Sequence, residues 1–317
     1  MPNNRKMSVF ELLERVATEG DAVDFLEECR WGDTPRCPRC ASTNVARTPP
    51  TAPMPWRCPA CRKYFNVRTN TVMAQSQIPL KKWCLAIYLF HNSRKGISAL
   101  QLGRELGLTP KSARFLAMRI REAMTVDLPL LDGVVEADET YIGGKPRSKH
   151  AWQRERDREK REAGVPTRQV VMGIRQRDGK VVAFPIDRAD RYNLQMAIGA
   201  HVEPGSTVYT DGHGGYQNMH AYNHDWVNHS AGEYVHGMAH TNSIESFWAL
   251  LKRGYTGTFH FFTFKHLHRY VNEFAYRLNA GPGNDFGVIA ETVLNMEGKR
   301  LTYKQLIGGE IEFIDRD

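Results

Sequence analysis

The length, composition and charge of the chain limit the kinds of protein it can be. Its 317 residues suffice for two or three domains, and 41% hydrophobic with 25% charged residues is ordinary for a soluble globular protein. The net charge of +8 favours a polyanionic partner, and the longest apolar run, Cys84 to Phe90, is far shorter than the roughly 20 residues that span a bilayer.

The N-terminal residues predict a helix and an intracellular location. Residues 1–30 are expected to form an N-terminal helical segment, with helical periodicity from Val9 to Cys29. No apolar signal core follows Met1, so secretion is not expected and the protein is predicted to be cytoplasmic. In a reducing compartment, cysteines serve as thiols or metal ligands rather than as disulfides.

Four cysteines in residues 31–72 have the spacing of a metal site. They form two CxxC pairs, Cys37–Cys40 and Cys58–Cys61, with seventeen residues between the pairs. Each CxxC turn presents two thiolates to one point, and four thiolates close the tetrahedron of a structural Zn²⁺. We therefore predict a zinc ribbon with one Zn²⁺ per chain; four unrelated thiols or redox pairs are the alternative.

Residues 75–128 read as helical and contain a helix-turn-helix pattern. A buried helix over Ile78–His91 precedes a helical pair, Ser98–Leu106 and Pro110–Met124, broken by a glycine-containing turn. The second helix of such a pair enters the major groove of DNA. The candidate DNA contacts on it are Lys111, Ser112, Arg114 and Arg119. An amphipathic hairpin with a solvated basic face explains the same pattern.

Residues 131–281 switch to a strand period and predict a mixed α/β sheet. The predicted elements are strands over Val134–Ile142, Gln169–Arg175, Lys180–Ile186 and Ser206–Thr210, and helices over Tyr192–Ile198, from Asn242, and over Phe264–Leu278. A charged insert, 145–166, is too polar to pack and is expected to be a mobile loop or a solvated helix. Residues 282–317 carry no readable motif and are taken as a C-terminal tail.

Three acidic residues occupy positions that the residue preferences of strands and helices do not explain. Asp138 lies inside a strand, Asp211 follows one, and Glu245 lies in the first turn of a helix. Each has a structural explanation: a surface acid, a helix cap, or a capping box between Asn242 and Glu245. Together they predict a site for Mg²⁺ or Mn²⁺, in which carboxylates from separate elements converge at one end of a sheet.

Two basic residues follow Glu245 along the same helix. Lys252 lies on the face of Glu245, two turns later, and Arg253 follows it. Both are candidates for contact with DNA phosphate, and a solvated basic end of the helix is the alternative.

Three longer motifs resemble the DDE transposases of bacterial insertion sequences. The residues that carry the resemblance are Asp138-Glu-Thr-Tyr-Ile-Gly-Gly-Lys145, Tyr209-Thr-Asp-Gly212 and His240-Thr-Asn-Ser-Ile-Glu-Ser-Phe-Trp248. The closest group has an N-terminal zinc ribbon before an RNase H-like catalytic domain, which here corresponds to residues 131–281.

The resemblance implies an enzyme with a defined set of site residues. Asp138, Asp211 and Glu245 match the DDE triad that holds catalytic Mg²⁺ or Mn²⁺, Lys252 matches a basic residue found after it, and Asn242 is a rival third ligand. The implied reaction is cleavage at terminal inverted repeats of double-stranded DNA and transfer to a target, by a homodimer at the nucleoid. An inactive or domesticated DNA-binding protein, and an RNase H-like nuclease without strand transfer, are the alternatives.

Overall fold

The computed structural model describes residues 7–143, 150–163, 167–227, 240–281 and 285–308. The chain divides into two compact units. The first comprises Met1–Val126 together with Pro282–Asp317, and the second comprises Asp127–Gly281. In the ranges just given, no helix has both the length and the apolar composition that crossing a membrane requires.

The helices and strands follow one another in the order predicted from the sequence, with several additional elements. The helices are α1 Val9–Arg15, α2 Glu19–Trp31, α3 Leu80–Asn92, α4 Ala99–Leu106, α5 Pro110–Ala123, α6 Ala151–Glu162, α7 Arg191–His201, α8 Asn242–Gly254, α9 Leu267–Ala280, α10 Asp285–Leu294 and α11 Tyr303–Ile307. The strands are β1 Ala46–Arg47, β2 Trp56–Arg57, β3 Tyr64–Phe65, β4 Val134–Ile142, β5 Gln169–Gln176, β6 Val181–Ile186, β7 Thr207–Asp211 and β8 Asn223–Val227. Strand β8 and helices α10 and α11 were not predicted from the sequence.

The predicted single helix over Val9–Cys29 is wrong, because the segment forms two helices. Thr18 begins the second helix: its hydroxyl accepts the N–H of Asp21 at 3.1 Å. The Asp21 carboxylate in turn accepts the Thr18 N–H at 2.8 Å. This reciprocal pair satisfies two helix-end N–H groups, which favours a new helix start over a continuous helix.

The small sheet of β1, β2 and β3 packs on α2 through aromatic side chains. Trp56 stacks on Phe65 with ring centroids 6.2 Å apart, and Trp31 of α2 meets both rings edge-on. The indole N–H of Trp56 donates to the buried carboxylate of Glu27 at 2.8 Å. These contacts attach the cysteine-bearing segment to the helical part of the first unit.

Helices α4 and α5 form the predicted helical pair. Gly107 ends α4 in the left-handed region at φ 59°, a conformation that glycine adopts without a steric cost. Thr109 caps α5 by accepting the N–H of Ser112, and Pro110 occupies the first helical position, as the sequence predicts.

The C-terminal segment returns to the first unit and covers part of α5. Helix α10 packs against α2 and α3. The ring of Tyr303, in α11, meets Phe115 edge-on and lies 4.7 Å from the Lys111 ammonium. Arg119 is buried, and its Nε donates to the Leu301 carbonyl at 3.2 Å. Arg119 therefore stabilises the fold, and its burial argues against the predicted contact with DNA.

The second unit contains a five-stranded mixed sheet with the order β6-β5-β4-β7-β8. Strands β4, β5 and β6 pair antiparallel, whereas β7 pairs parallel with both β4 and β8. This sheet confirms the predicted mixed α/β architecture and is consistent with an RNase H-like catalytic domain. Parallel pairing places the carboxyl ends of β4 and β7 at one edge of the sheet, where open α/β sheets bind ligands.

Helices cover both faces of this sheet. Helices α8 and α9 pack on one face in a cluster that includes Val171, Phe247 and Phe274. Helix α7 packs on the other, around Val135 and Ala137. The described part of the charged insert forms α6, which buries no side chain, so the expectation of a solvated helix holds for residues 151–162.

Candidate active site

Asp138 and Asp211 lie on adjacent parallel strands in the centre of the sheet. The register pairs Val135 with Val208 and Glu136 with Tyr209, and Asp138 and Asp211 each follow two residues after that last pair. The charge of Asp211 acts on Asp138, so the two carboxylates are near each other. Because side chains alternate along a strand, both carboxylates face the side of the sheet that α8 covers. The structure therefore brings these two predicted residues together.

A tryptophan of α8 holds the carboxylate of Asp138. The buried indole of Trp248 donates its N–H to Asp138 Oδ2 at 2.8 Å. The ring lies against Gly173, which pairs with Asp138 across β4 and β5. A Cβ at Gly173 would stand 2.5 Å from Trp248 Cζ2, so only glycine leaves space for the indole here.

The surroundings of Asp138 disfavour its negative charge. Burial, followed by the charges of Asp211 and Glu139, raises the pKa of this carboxyl to about 7, although the Trp248 hydrogen bond lowers it. A partly buried pair of like charges is expected to bind a proton or a cation. The carboxylate oxygens are also the donors that Mg²⁺ and Mn²⁺ prefer. The two aspartates therefore fit a divalent metal ion.

Glu139 and Tyr216 adjoin this site and were not predicted as site residues. The Tyr216 hydroxyl donates to Glu139 Oε2 at 2.6 Å, on the opposite face of β4 from Asp138. Burial raises the pKa of Glu139, and the charge of Asp211 also raises it. Burial, followed by the charge of Glu139, raises the pKa of Tyr216 well above its ordinary value. Glu139, which is half-buried, therefore adds a further acid next to the aspartates.

Glu245 occupies the first turn of α8, and its side chain is exposed. Its Oε1 accepts the Thr241 hydroxyl at 3.2 Å. Thr241 is the residue that precedes the helix, so the proposed capping box between Asn242 and Glu245 does not form. Asn242 is itself exposed, as the first residue of the helix.

The N–H groups at the start of α8 are satisfied by a residue of β4. Glu136 Oε2 accepts the N–H groups of Ser243 at 2.8 Å and Ile244 at 3.1 Å. The side chain of Glu136 is completely buried. No local signal marks this role, because the two partners are more than a hundred residues apart in the chain.

The predicted basic residues of α8 are accessible. Lys252 and Arg253 are both exposed in the last turn of the helix. In the first unit, Lys111 and Arg114 are exposed near the start of α5, and Ser112 is half-buried. Electrostatic contacts with a polyanion need accessible cations, so these four basic residues remain candidates.

The four predicted zinc ligands form a tight cluster in the first unit. The ligand atoms of Cys37, Cys40, Cys58 and Cys61 all lie within 4.8 Å of one another. Among the residues that the structure describes, no other group of three or more His, Cys, Asp or Glu side chains is as close. Cys37 and Cys61, and likewise Cys40 and Cys58, have their Sγ atoms 3.6 Å apart. Zn–S bonds of about 2.3 Å in a tetrahedron require roughly this separation, so the site fits Zn²⁺.

The carboxylates do not form an equally tight cluster. Asp138 and Asp211 share one face of the sheet. In the described part of the chain, Glu245 does not bring a carboxylate oxygen within 4.8 Å of both of them. Metal ions bring such carboxylates closer by cancelling their mutual repulsion. Glu245 as the third ligand of the metal ion thus stays a proposal, which depends on the position of the first turn of α8.

Two known protein families match this chain. Residues 130–279 match the family described as ISXO2-like transposase domain, and residues 17–64 match the transposase zinc-ribbon domain. The chain is also 29% identical over 255 residues to an uncharacterized protein in transposable element ISH50 of Halobacterium salinarum, an alignment that covers 76% of this chain and 84% of that protein. The first match contains all three acids, and the second contains all four cysteines.

Proposed function

Because the chain belongs to the DDE transposases of insertion sequences, we propose that it cleaves DNA at the ends of its element and joins the freed 3′ ends to a target. The observation that carries this proposal is the pair of carboxylates on adjacent parallel strands, with Asp138 in the middle of β4 and Asp211 at the carboxyl end of β7. Acids in this arrangement can hold the divalent ions of a phosphoryl transfer.

The proposed reaction assigns a task to each residue. Asp138, Asp211 and Glu245 would hold Mg²⁺ or Mn²⁺, which when bound stabilises charge on the phosphate and lowers the pKa of a ligating water. The Trp248 N–H fixes the orientation of Asp138. Lys252 would pair with a phosphate beside the site; its exposure on the helix that carries Glu245 supports this role.

The chemistry needs no covalent intermediate with the protein. In cleavage, a water oxygen bonds to phosphorus and the 3′ oxygen leaves with a proton, which gives a 3′ hydroxyl and a 5′ phosphate. In joining, that 3′ hydroxyl attacks a target phosphodiester, and the displaced target oxygen leaves as a new 3′ hydroxyl. Both steps exchange one phosphorus–oxygen bond for another, so one site can serve both.

The test uses a labelled terminal-repeat duplex, Mg²⁺ or Mn²⁺, and a second duplex as target. We expect metal-dependent nicking and joined products with the wild type, and a loss of about a thousandfold or more with Asp211→Asn. Cleavage without joined products would instead support a nuclease without strand transfer. Equal activity of the wild type and Asp211→Asn, or none with either metal, would contradict the proposal and favour a DNA-binding protein without chemistry.

DNA binding is implied by the transposase and zinc-ribbon domains, and we propose that the start of α5 contributes to it. Lys111 and Arg114 are exposed there, whereas the rest of the helix is largely buried. The double variant Lys111→Gln/Arg114→Gln is expected to bind the terminal repeat more weakly. The slope of log K against log salt concentration should become shallower by the amount that corresponds to about one to two lost phosphate contacts.

Fluorescence anisotropy at several salt concentrations measures this effect. The control is Arg94→Gln/Lys95→Gln, which removes the same charge from two other exposed residues of the first unit. If both double variants lose the same affinity, α5 has no special role and only net charge matters. If the affinity loss is confined to the terminal repeat and spares random DNA, the two side chains read bases.

We also propose a homodimer as the acting form, at chromosomal DNA in the cytoplasm. Joining both ends of an element to one target site requires two reactive ends to be held together. Two copies of the chain supply two sets of the carboxylates described above.

A further inference from the structure

We propose that Glu136 is a positioning residue of the active site, which fixes the start of α8 and thereby places Glu245 and Trp248 relative to Asp138. This inference rests on the function proposed above. Glu136 lies two residues before Asp138 on β4, so both carboxylates point to the face that α8 covers.

The contacts of Glu136 account for both of its oxygens. Oε2 accepts the N–H groups of Ser243 and Ile244 at 2.8 and 3.1 Å. Oε1 lies 3.3 Å from the Arg177 guanidinium and 3.3 Å from His240 Nδ1. A completely buried carboxylate is costly unless it is paired, and here it binds a cation and the positive end of a helix.

The same region of the sheet holds the helix at a second point. Arg175, on β5, donates to the Ser243 carbonyl at 2.7 Å and to the Ser246 hydroxyl at 3.1 Å. Arg175 pairs with Glu136 across β4 and β5. Glu136 therefore holds the first turn of α8 through its N–H groups, and Arg175 on the neighbouring strand holds the same turn through the Ser243 carbonyl.

This attachment matters for catalysis because α8 carries two side chains of the proposed site. Glu245 follows Ile244 directly, so a shift of the capped N–H groups moves the backbone of Glu245 with them. Trp248, one turn later, contacts Asp138 itself. Residues that orient metal ligands from behind commonly change metal affinity or activity about ten- to a hundredfold when they are replaced.

The deciding variant is Glu136→Gln, which keeps the shape of the side chain but removes its charge and one acceptor oxygen. In the zinc-loaded full chain, we expect the amides at the start of α8 to exchange with solvent at least about tenfold faster. We expect Mn²⁺ affinity, followed by electron paramagnetic resonance, to fall about tenfold. In the cleavage assay, the Mg²⁺ concentration for half-maximal rate should rise by a similar factor.

Glu273→Gln is a matched control in the same unit. Glu273 is also completely buried and pairs with Arg277 at 3.1 Å within α9. Its replacement is expected to lower stability and to leave Mn²⁺ affinity and α8 exchange at wild-type values. If Glu273→Gln shifts those two measurements as much as Glu136→Gln does, the effect is general destabilisation and the inference is overturned.

The outcomes separate this inference from the proposed function. If the wild type cleaves no DNA, the proposed function fails, while amide exchange and Mn²⁺ affinity still decide the role of Glu136. Unchanged exchange and affinity in Glu136→Gln would overturn the inference even if the wild type is active. Should Glu136→Gln fail to fold, Glu136→Asp, which retains the charge on a shorter side chain, is expected to show the same shifts at smaller size.

Discussion

Replacing Asp138 with asparagine is expected to reduce metal-dependent DNA cleavage about a thousandfold or more and to stabilise the metal-free protein. Asparagine keeps an oxygen that can accept the Trp248 N–H, so the contact with the indole should persist, although its amide group replaces the Oδ1 that accepts the Glu139 N–H at 2.8 Å. It removes the negative charge that a divalent ion requires, and it also removes the repulsion from Asp211. Opposite changes in activity and stability are typical of a functional site.

The stabilisation should depend on pH in a defined direction. The pKa of Asp138 is raised from its ordinary value of 3.8 to about 7, so between these values the folded protein binds more protons than the unfolded chain. Stability contributed by this group therefore falls as pH rises from 3.8 to about 7 and stays low above it. The gain from Asp138→Asn at pH 8 should exceed the gain at pH 5.5 by about 2 kcal/mol.

Thermal or urea unfolding at the two pH values, without added Mg²⁺, measures this difference. The control is Asp187→Asn, the same substitution at an exposed acid of the second unit, for which no such dependence on pH is expected. A pH-independent gain at Asp138 would show that burial and the neighbouring charges do not act on it as described. Full cleavage activity of Asp138→Asn would remove it from the catalytic residues.

Loss of zinc is expected to unfold the segment of β1, β2 and β3. The small sheet has few buried side chains of its own, so the four thiolates bound to Zn²⁺ would supply most of its stability, on the order of 10 kcal/mol in zinc fingers. Cys58→Ser should reduce bound zinc from one per chain to none. The stack of Trp56 on Phe65 should then open, which shifts tryptophan fluorescence to longer wavelength.

Metal analysis of the purified protein and emission spectra check this prediction. Cys84→Ala is the matched control, because Cys84 is buried in α3, outside the four-cysteine cluster; it should retain one zinc per chain. Trp56→Phe identifies the part of the emission change that belongs to this residue. Wild-type protein that contains no zinc, or Cys58→Ser protein with a wild-type spectrum, would contradict the structural role of the metal.

The sequence by itself determined the features that depend on neighbours along the chain. The two CxxC pairs specify a zinc site because each turn brings two thiolates together locally. Thr109 and Pro110 mark the start of α5, and the period of two marks β4, β5 and β6. Asp138 and Asp211 could be selected as candidate ligands from the sequence because acids are unusual within and at the end of a strand.

Contacts between distant segments were decided only by the tertiary structure. The burial of Glu136, the indole of Trp248 over Gly173 and the covering of Arg119 by the C-terminal segment each join residues far apart in sequence. A carboxylate or guanidinium has the same local pattern whether it is solvated or buried against a partner. Its role depends on packing, which no periodicity or spacing within one segment encodes.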